Sequence, residues 1–278
     1  MYKLIVFDLD GTLLDDYKAV PEANMEALCR AAGKGLLIVP ASGRIYRFMP
    51  EEVISQPFVR YCITVNGAAV YDAAQDEVLY SAEISLDEAF RVFDYLDSLD
   101  VIYDFYADNV GYINNSFIEI ADDYFQGPVM NSMLHSYTLK TRIGVPDIRQ
   151  FALQRGGSLL KISVFFKHGS DRILQLDKMP GVFPELVFSS SLPNNIEINS
   201  PLATKGQALQ DLCLRLGIAP DEVIAFGDGT NDLDMIRFAG TGVAMANADS
   251  KVKDAASYVT ASNNEAGVAL ALRHFGIV

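Results

Sequence analysis

The sequence predicts an α/β protein: an open parallel-sheet core carrying a second, smaller α/β domain inserted into it. Short apolar runs at residues 4–7, 36–39, 63–65, 223–226 and 242–244 each end in small or polar residues, as buried parallel strands do. Helical spacing fills the gaps between them, so strand and helix alternate. The middle of the chain reads differently, with paired strand runs and hairpin signals, and parallel-type strands return after it.

Taken in order, the run 4–7 is followed by a helix over 21–32, in which Met25, Leu28, Cys29 and Ala32 recur on one face. A helix from Ser85, with Leu86, Ala89, Phe90, Phe93 and Leu96 at helical spacing, leads into strand-like runs 101–107 and 110–114 joined by Asp108-Asn109, a hairpin pattern. Further helices are expected over 147–154 and 170–178, and further strands over 159–166, 186–189 and 195–199. The reading is a discontinuous core, residues 1–82 and 200–278, interrupted by an inserted domain at 83–199. In such sheets ligands bind beyond the carboxyl ends of the strands.

Composition narrows the function. The 278 residues are 50% hydrophobic and 21% charged, as a globular protein with a sizeable core would be. The net charge of −14 repels nucleic acid and anionic lipid surfaces. Cys29, Cys62 and Cys213 lack metal-ligand spacing and lie in apolar stretches, which reads as reduced core cysteines of a cytoplasmic protein. No apolar run approaches the ~20 residues of a membrane helix, and Asp8 breaks the first run too early for a signal peptide.

The richest segment is Asp8-Leu9-Asp10-Gly11-Thr12, at the end of the first strand. Residues two apart on an extended chain point the same way, so Asp8 and Asp10 emerge together. Two such acids raise each other's pKa unless a cation or a shared proton separates them. Asp228 directly follows the strand at 223–226, and Asn231 and Asp232 open the helix carrying Met235, Ile236 and Ala239. Asp232 also fits an ordinary acid in a first helical turn. Placed beside Asp8 and Asp10, Asp228 would complete an all-oxygen site suited to Mg²⁺.

Thr204 and Gln207 fit a capping box, which puts Lys205 in a first helical turn, where a cation is unfavourable unless an anion sits there too. Ser42-Gly43 follows the second strand, where a hydroxyl and exposed N–H groups suit either a phosphoryl oxygen or a plain helix cap. Arg44 suits either a substrate or a neighbouring acid.

These four segments, DLDGT, Ser42, Lys205 and GDGTND, in this order, resemble the haloacid dehalogenase superfamily of aspartyl-dependent phosphatases. Asn66-Gly67, the inserted α/β region and the closing run 262–268 are similar to its Cof-type branch. The resemblance implies a Rossmann-like parallel-sheet core with an α/β cap, and a Mg²⁺-dependent phosphatase acting on small phosphorylated metabolites, sugar phosphates foremost. It implies Asp8 as nucleophile and Asp10 as acid and base. Mg²⁺ would be held by Asp8, Asp228 and the Asp10 carbonyl, supported by Asp232 and Asn231. Leu9, Ser42, Gly43, Lys205 and Asn231 would hold phosphate. Arg44, Asn66 and Gly67 are candidate substrate contacts, and Tyr106, Tyr112, His135 and Lys161 are candidate cap contacts. A monomer or homodimer is expected. Two alternatives share these residues: a phosphosugar mutase, and a ligand-binding module on an inactive phosphatase core.

Overall fold

In the computed structural model, which describes residues 1–125 and 141–278, the chain divides into two compact units, Met1–Ser81 with Leu202–Val278, and Ala82–Pro201. The first unit is built on a five-stranded parallel sheet. Its strands are β1 (Leu4–Phe7), β2 (Leu37–Pro40), β12 (Val223–Gly227), β13 (Thr241–Ala244) and β14 (Tyr258–Val259), in the order β14-β13-β12-β1-β2. β1 is central, in register with β12 on one side and β2 on the other, and all four of its residues are fully buried. A strand covered on both faces must be apolar throughout, which is why LIVF reads as a run and not as an alternation.

The third expected strand does not join this sheet as a full ladder. β3 (Tyr61–Thr64) pairs antiparallel with β4 (Ala69–Asp72), and β4 pairs with β5 (Glu77–Ser81), to make a separate three-stranded sheet. Its parallel link to the end of β2 is the single bridge Ala41 to Ile63, where the Ser42 N–H donates to the Ile63 carbonyl at 2.9 Å. Leu37 and Ala41 donate toward β1, so the alternate residues face β3. One of them is Pro40, which has no N–H to give.

The first helix spans Glu22–Gly33, and its buried face is Asn24, Ala27, Leu28 and Ala31, one residue out of step with the face expected from Met25, Leu28, Cys29 and Ala32. Asn24 turns inward because both ends of its amide find a backbone partner there. It donates to the Leu13 carbonyl and accepts from the Ala269 N–H at 3.0 Å. Cys29 is therefore exposed, against expectation, while Cys62 and Cys213 are buried.

The second unit carries a six-stranded sheet in the order β10-β11-β9-β6-β7-β8, with β6 (Val101–Ala107), β7 (Val110–Asn114), β8 (Arg142–Val145), β9 (Lys161–Phe166), β10 (Val187–Ser189) and β11 (Asn195–Asn199). The hairpin between β6 and β7 turns on Asp108 and Asn109, both at positive φ (48° and 59°), the conformation that matches strand twist in a two-residue loop. Helix Leu86–Leu96 starts with a capping box between Ser85 and Glu88 and packs Ala89, Val92, Phe93 and Leu96 onto one face of this sheet.

Candidate active site

The carboxyl ends of β1, β2 and β12, with the start of helix Lys205–Leu216, gather most of the charged residues singled out in the sequence. Asp8 leaves β1 with its N–H donating to the Phe226 carbonyl at 3.0 Å, which locks the end of β1 to that of β12. Lys205 is fully buried, and its Nζ lies 2.6 Å from Asp8 Oδ1 and 2.6 Å from Asp232 Oδ1. The cation that the helix dipole disfavours is thus held by two carboxylates. The Thr204 hydroxyl accepts from the Gln207 N–H at 3.1 Å and fixes the helix start.

Asp232 does more than occupy a first helical turn. Its Oδ2 accepts the N–H groups of Asp228 and Gly229, each at 3.0 Å, while Oδ1 faces Lys205. Asp228 is oriented from the other side by the Thr12 hydroxyl, which donates to Asp228 Oδ1 at 2.7 Å. One carboxylate oxygen each from Asp8, Asp228 and Asp232 lies within 4.8 Å of the others. Three carboxylates against one buried ammonium leave a surplus of negative charge on hard oxygen donors. The donor set fits a small divalent cation.

Electrostatics follow from this crowding. Burial pushes the Asp8 carboxyl up to about 7, with Lys205 pulling it down and Asp232 and Asp228 pushing it further up. Burial, followed by the Asp232 charge, also raises Asp228 against the Thr12 hydrogen bond. Burial works against the Lys205 ammonium, but the charges of Asp232 and Asp8 outweigh it and hold Lys205 above the usual lysine value.

Asp10 sits apart from that cluster in its partners. Arg44 grips it as a fork, Nε to Oδ2 at 3.0 Å and Nη2 to Oδ1 at 2.8 Å, and Lys18 Nζ reaches Oδ1 at 2.8 Å. Burial would raise the Asp10 carboxyl, but Arg44 and Lys18 prevail and leave it below the usual carboxylate range. Lys18 was missed in the sequence because it belongs to no motif. It stands at φ 66° in a turn whose geometry Asp15 sets by accepting the Tyr17 and Ala19 N–H groups.

Ser42 is buried, and its hydroxyl accepts the Arg44 N–H at 3.3 Å. Gly43 abuts the Asn66 amide, which accepts from Asn231 Nδ2 at 3.1 Å. Leu9 is fully buried. Gly67 lies against the Thr204 backbone. Three asparagines also brace the turn after Asp10: Asn247 donates to the Gly11 carbonyl at 2.8 Å, Asn263 to the Leu14 carbonyl at 3.0 Å, and Asn264 to Asp16 at 3.0 Å. Asn263 and Asn264 come from the closing run whose role was not legible in the sequence.

In the second unit Lys161 is buried 3.2 Å from Glu197, with its Nζ 4.5 Å from the centre of the Tyr106 ring. Tyr112 packs with its ring tilted against those of Phe105 and Phe151 instead. His135 lies outside the described residues.

Known proteins share this architecture along the whole chain. The family model of haloacid dehalogenase-like hydrolases matches residues 5–272. The 5-amino-6-(5-phospho-D-ribitylamino)uracil phosphatase YcsE of Bacillus subtilis is 30% identical over 275 residues, covering 98% of this chain and 95% of its own. A haloacid dehalogenase-like hydrolase from Bacteroides thetaiotaomicron superposes with a TM-score of 0.80 at 28% identity, covering 99% of this chain and 100% of its own. The subclass IIB sugar phosphatase BT4131 does so with a TM-score of 0.80 at 25% identity, again over 99% and 100%. The chain belongs to the haloacid dehalogenase-like hydrolases, as a phosphatase of their Cof-type branch.

Proposed function

We propose that this enzyme is a Mg²⁺-dependent phosphatase that hydrolyses phosphate monoesters of sugars and polyols through an aspartyl-phosphate on Asp8. The observation that carries the reading is the buried contact of Lys205 with both Asp8 and Asp232, with Asp228 alongside. A carboxylate attacks a phosphate dianion only where charge is neutralised, and this cluster concentrates the means.

In the first step Asp8 Oδ bonds to phosphorus as the ester P–O bond breaks, and Asp10 delivers a proton to the departing oxygen. In the second, water attacks phosphorus, Asp10 takes its proton, and Asp8 is released as a carboxylate with orthophosphate. Lys205, the Ser42 hydroxyl, Asn231 and the N–H groups of Leu9 and Gly43 hold the phosphoryl oxygens. Mg²⁺, when bound by Asp8, Asp228 and the Asp10 carbonyl with Asp232 in support, supplies the remaining charge neutralisation on those oxygens. The Arg44 and Lys18 contacts favour the Asp10 carboxylate, the form that serves as base in the second step.

Two relatives support the substrate class, one a sugar phosphatase and the other a 5-amino-6-(5-phospho-D-ribitylamino)uracil phosphatase. The net charge of −14 disfavours nucleic acid and anionic membranes, so the proposed partner is a small cytoplasmic metabolite, met by a monomer or homodimer. Release of orthophosphate from an aryl phosphate, dependent on Mg²⁺ and absent in Asp8→Asn, tests the reading. Isomerisation of a hexose phosphate without release would replace it with a mutase.

A further inference from the structure

Three consecutive residues at the end of β3, Val65, Asn66 and Gly67, hold positive φ angles of 52°, 57° and 96°. A left-handed valine is a steric outlier, and such backbone persists only where its surroundings over-determine it. Here the surroundings are three separate segments. The Val65 N–H donates to the Arg44 carbonyl and the Asn66 N–H to the Ser42 carbonyl, both at 3.0 Å. At Gly67 an added methyl group would lie 2.1 Å from the Thr204 carbonyl oxygen, so only glycine lets this turn meet the start of the Lys205 helix. Asn66 Oδ1 accepts from Asn231 Nδ2 at 3.1 Å, and its amide flanks Gly43.

The strained turn therefore touches the Ser42–Arg44 loop, the Lys205 helix start and the Gly227–Asp232 loop at once. Far apart in sequence, these are the segments that the phosphatase reading, on which this inference rests, assigns to the phosphoryl oxygens. We infer that Asn66 is a positioning residue: through its amide and backbone it sets Asn231 and the Ser42–Gly43 loop at a common distance from the transferred phosphoryl group, and it acts alike whatever the substrate's organic part. Asn66 meets both Asn231 and Gly43 from a left-handed backbone.

The test is a double-mutant cycle of Asn66→Gly, Asn231→Ala and the pair, read with an aryl phosphate, a hexose phosphate and acetyl phosphate. Calorimetric binding of inorganic orthophosphate is measured in parallel. Asn66→Gly keeps the positive φ open to the chain, so its melting temperature should stay close to that of the parent. It should lower kcat/KM about tenfold, by a common factor for all three substrates, and weaken orthophosphate binding in step. The pair should lose less than the product of the two single effects, the signature of coupled residues. A loss confined to the hexose phosphate with orthophosphate binding intact, or effects that multiply in the pair, would overturn the inference. Parent turnover of the two phosphate monoesters separately decides the phosphatase reading, and the orthophosphate arm reads the cycle even without turnover.

Discussion

Lys205 Nζ meets Asp232 Oδ1 at 2.6 Å, and neither side chain exposes any surface. Asp8 makes the second contact to the same ammonium, so one lysine separates two buried acids. Removing the cation while leaving the anions costs far more than the pair contributes. Lys205→Met should therefore destabilise the metal-free protein by about 3–5 kcal/mol. Chemical denaturation in chelator gives that value, and a loss within experimental error of zero would contradict it.

Asp8 carries a pH dependence with a definite sign. Its carboxyl is pushed up to about 7 in the fold, from 3.8. Between these values the native state holds a proton that the unfolded chain has released, so this group's contribution to stability falls as pH rises through that window and levels off above 7. A divalent cation competes for the same oxygen. Mg²⁺ binding should release protons below pH 7 and tighten as pH rises to about 8, a trend that calorimetry in buffers of different ionisation enthalpy measures directly.

For Arg44 and Asp10 the sign is opposite. The fork helps hold Asp10 below the usual carboxylate range, so Arg44→Ala should raise its pKa. The carboxylate needed in the second step is then lost at higher pH. Because Asp10 is also the acid of the first step, the acid and alkaline limits that it sets in the pH profile should both move upward.

Gly11 stands at φ 83°, and an added methyl group would lie 2.4 Å from Asp228 Oδ2. Gly11→Ala must therefore displace the Asp228 carboxylate or the turn beside it. An approximately 10- to 100-fold loss of Mg²⁺ affinity is expected, the cost of misplacing groups around a metal site. Thr12→Val, which removes the 2.7 Å hydrogen bond to Asp228 without a clash, should fall between it and the parent.

Much of this arrangement is legible in the chain because its chemistry is local. A fully buried β1 must be apolar, so its end at Asp8 is visible, and Lys205 stands out as a cation at the wrong end of a helix. The alternation of strand and helix likewise announces the α/β class. What escapes depends on partners remote in sequence. The reduction of the β2–β3 ladder to one bridge turns on the N–H that Pro40 lacks, and the rotation of the first helix on a buried amide at Asn24. Cys29 lies exposed for the same reason. β4 and β5 were missed because they form a small sheet with little apolar repetition. Lys18 reaches Asp10 only through the turn that Asp15 holds, and Asn263 and Asn264 meet the residues after Asp10 across almost the whole chain.

The central claim is that Asp8 carries the phosphoryl group. In an Asp10→Asn variant the second step lacks its base, while acetyl phosphate, whose leaving group needs no acid, still permits the first. Acid-quenched protein from such a reaction with Mg²⁺, digested and measured by mass spectrometry, should carry one phosphoryl group on the peptide containing Asp8, and borohydride should convert that residue to homoserine. Phosphate release by the parent enzyme with no adduct on Asp8 in the variant, or an adduct on another residue, would contradict the account.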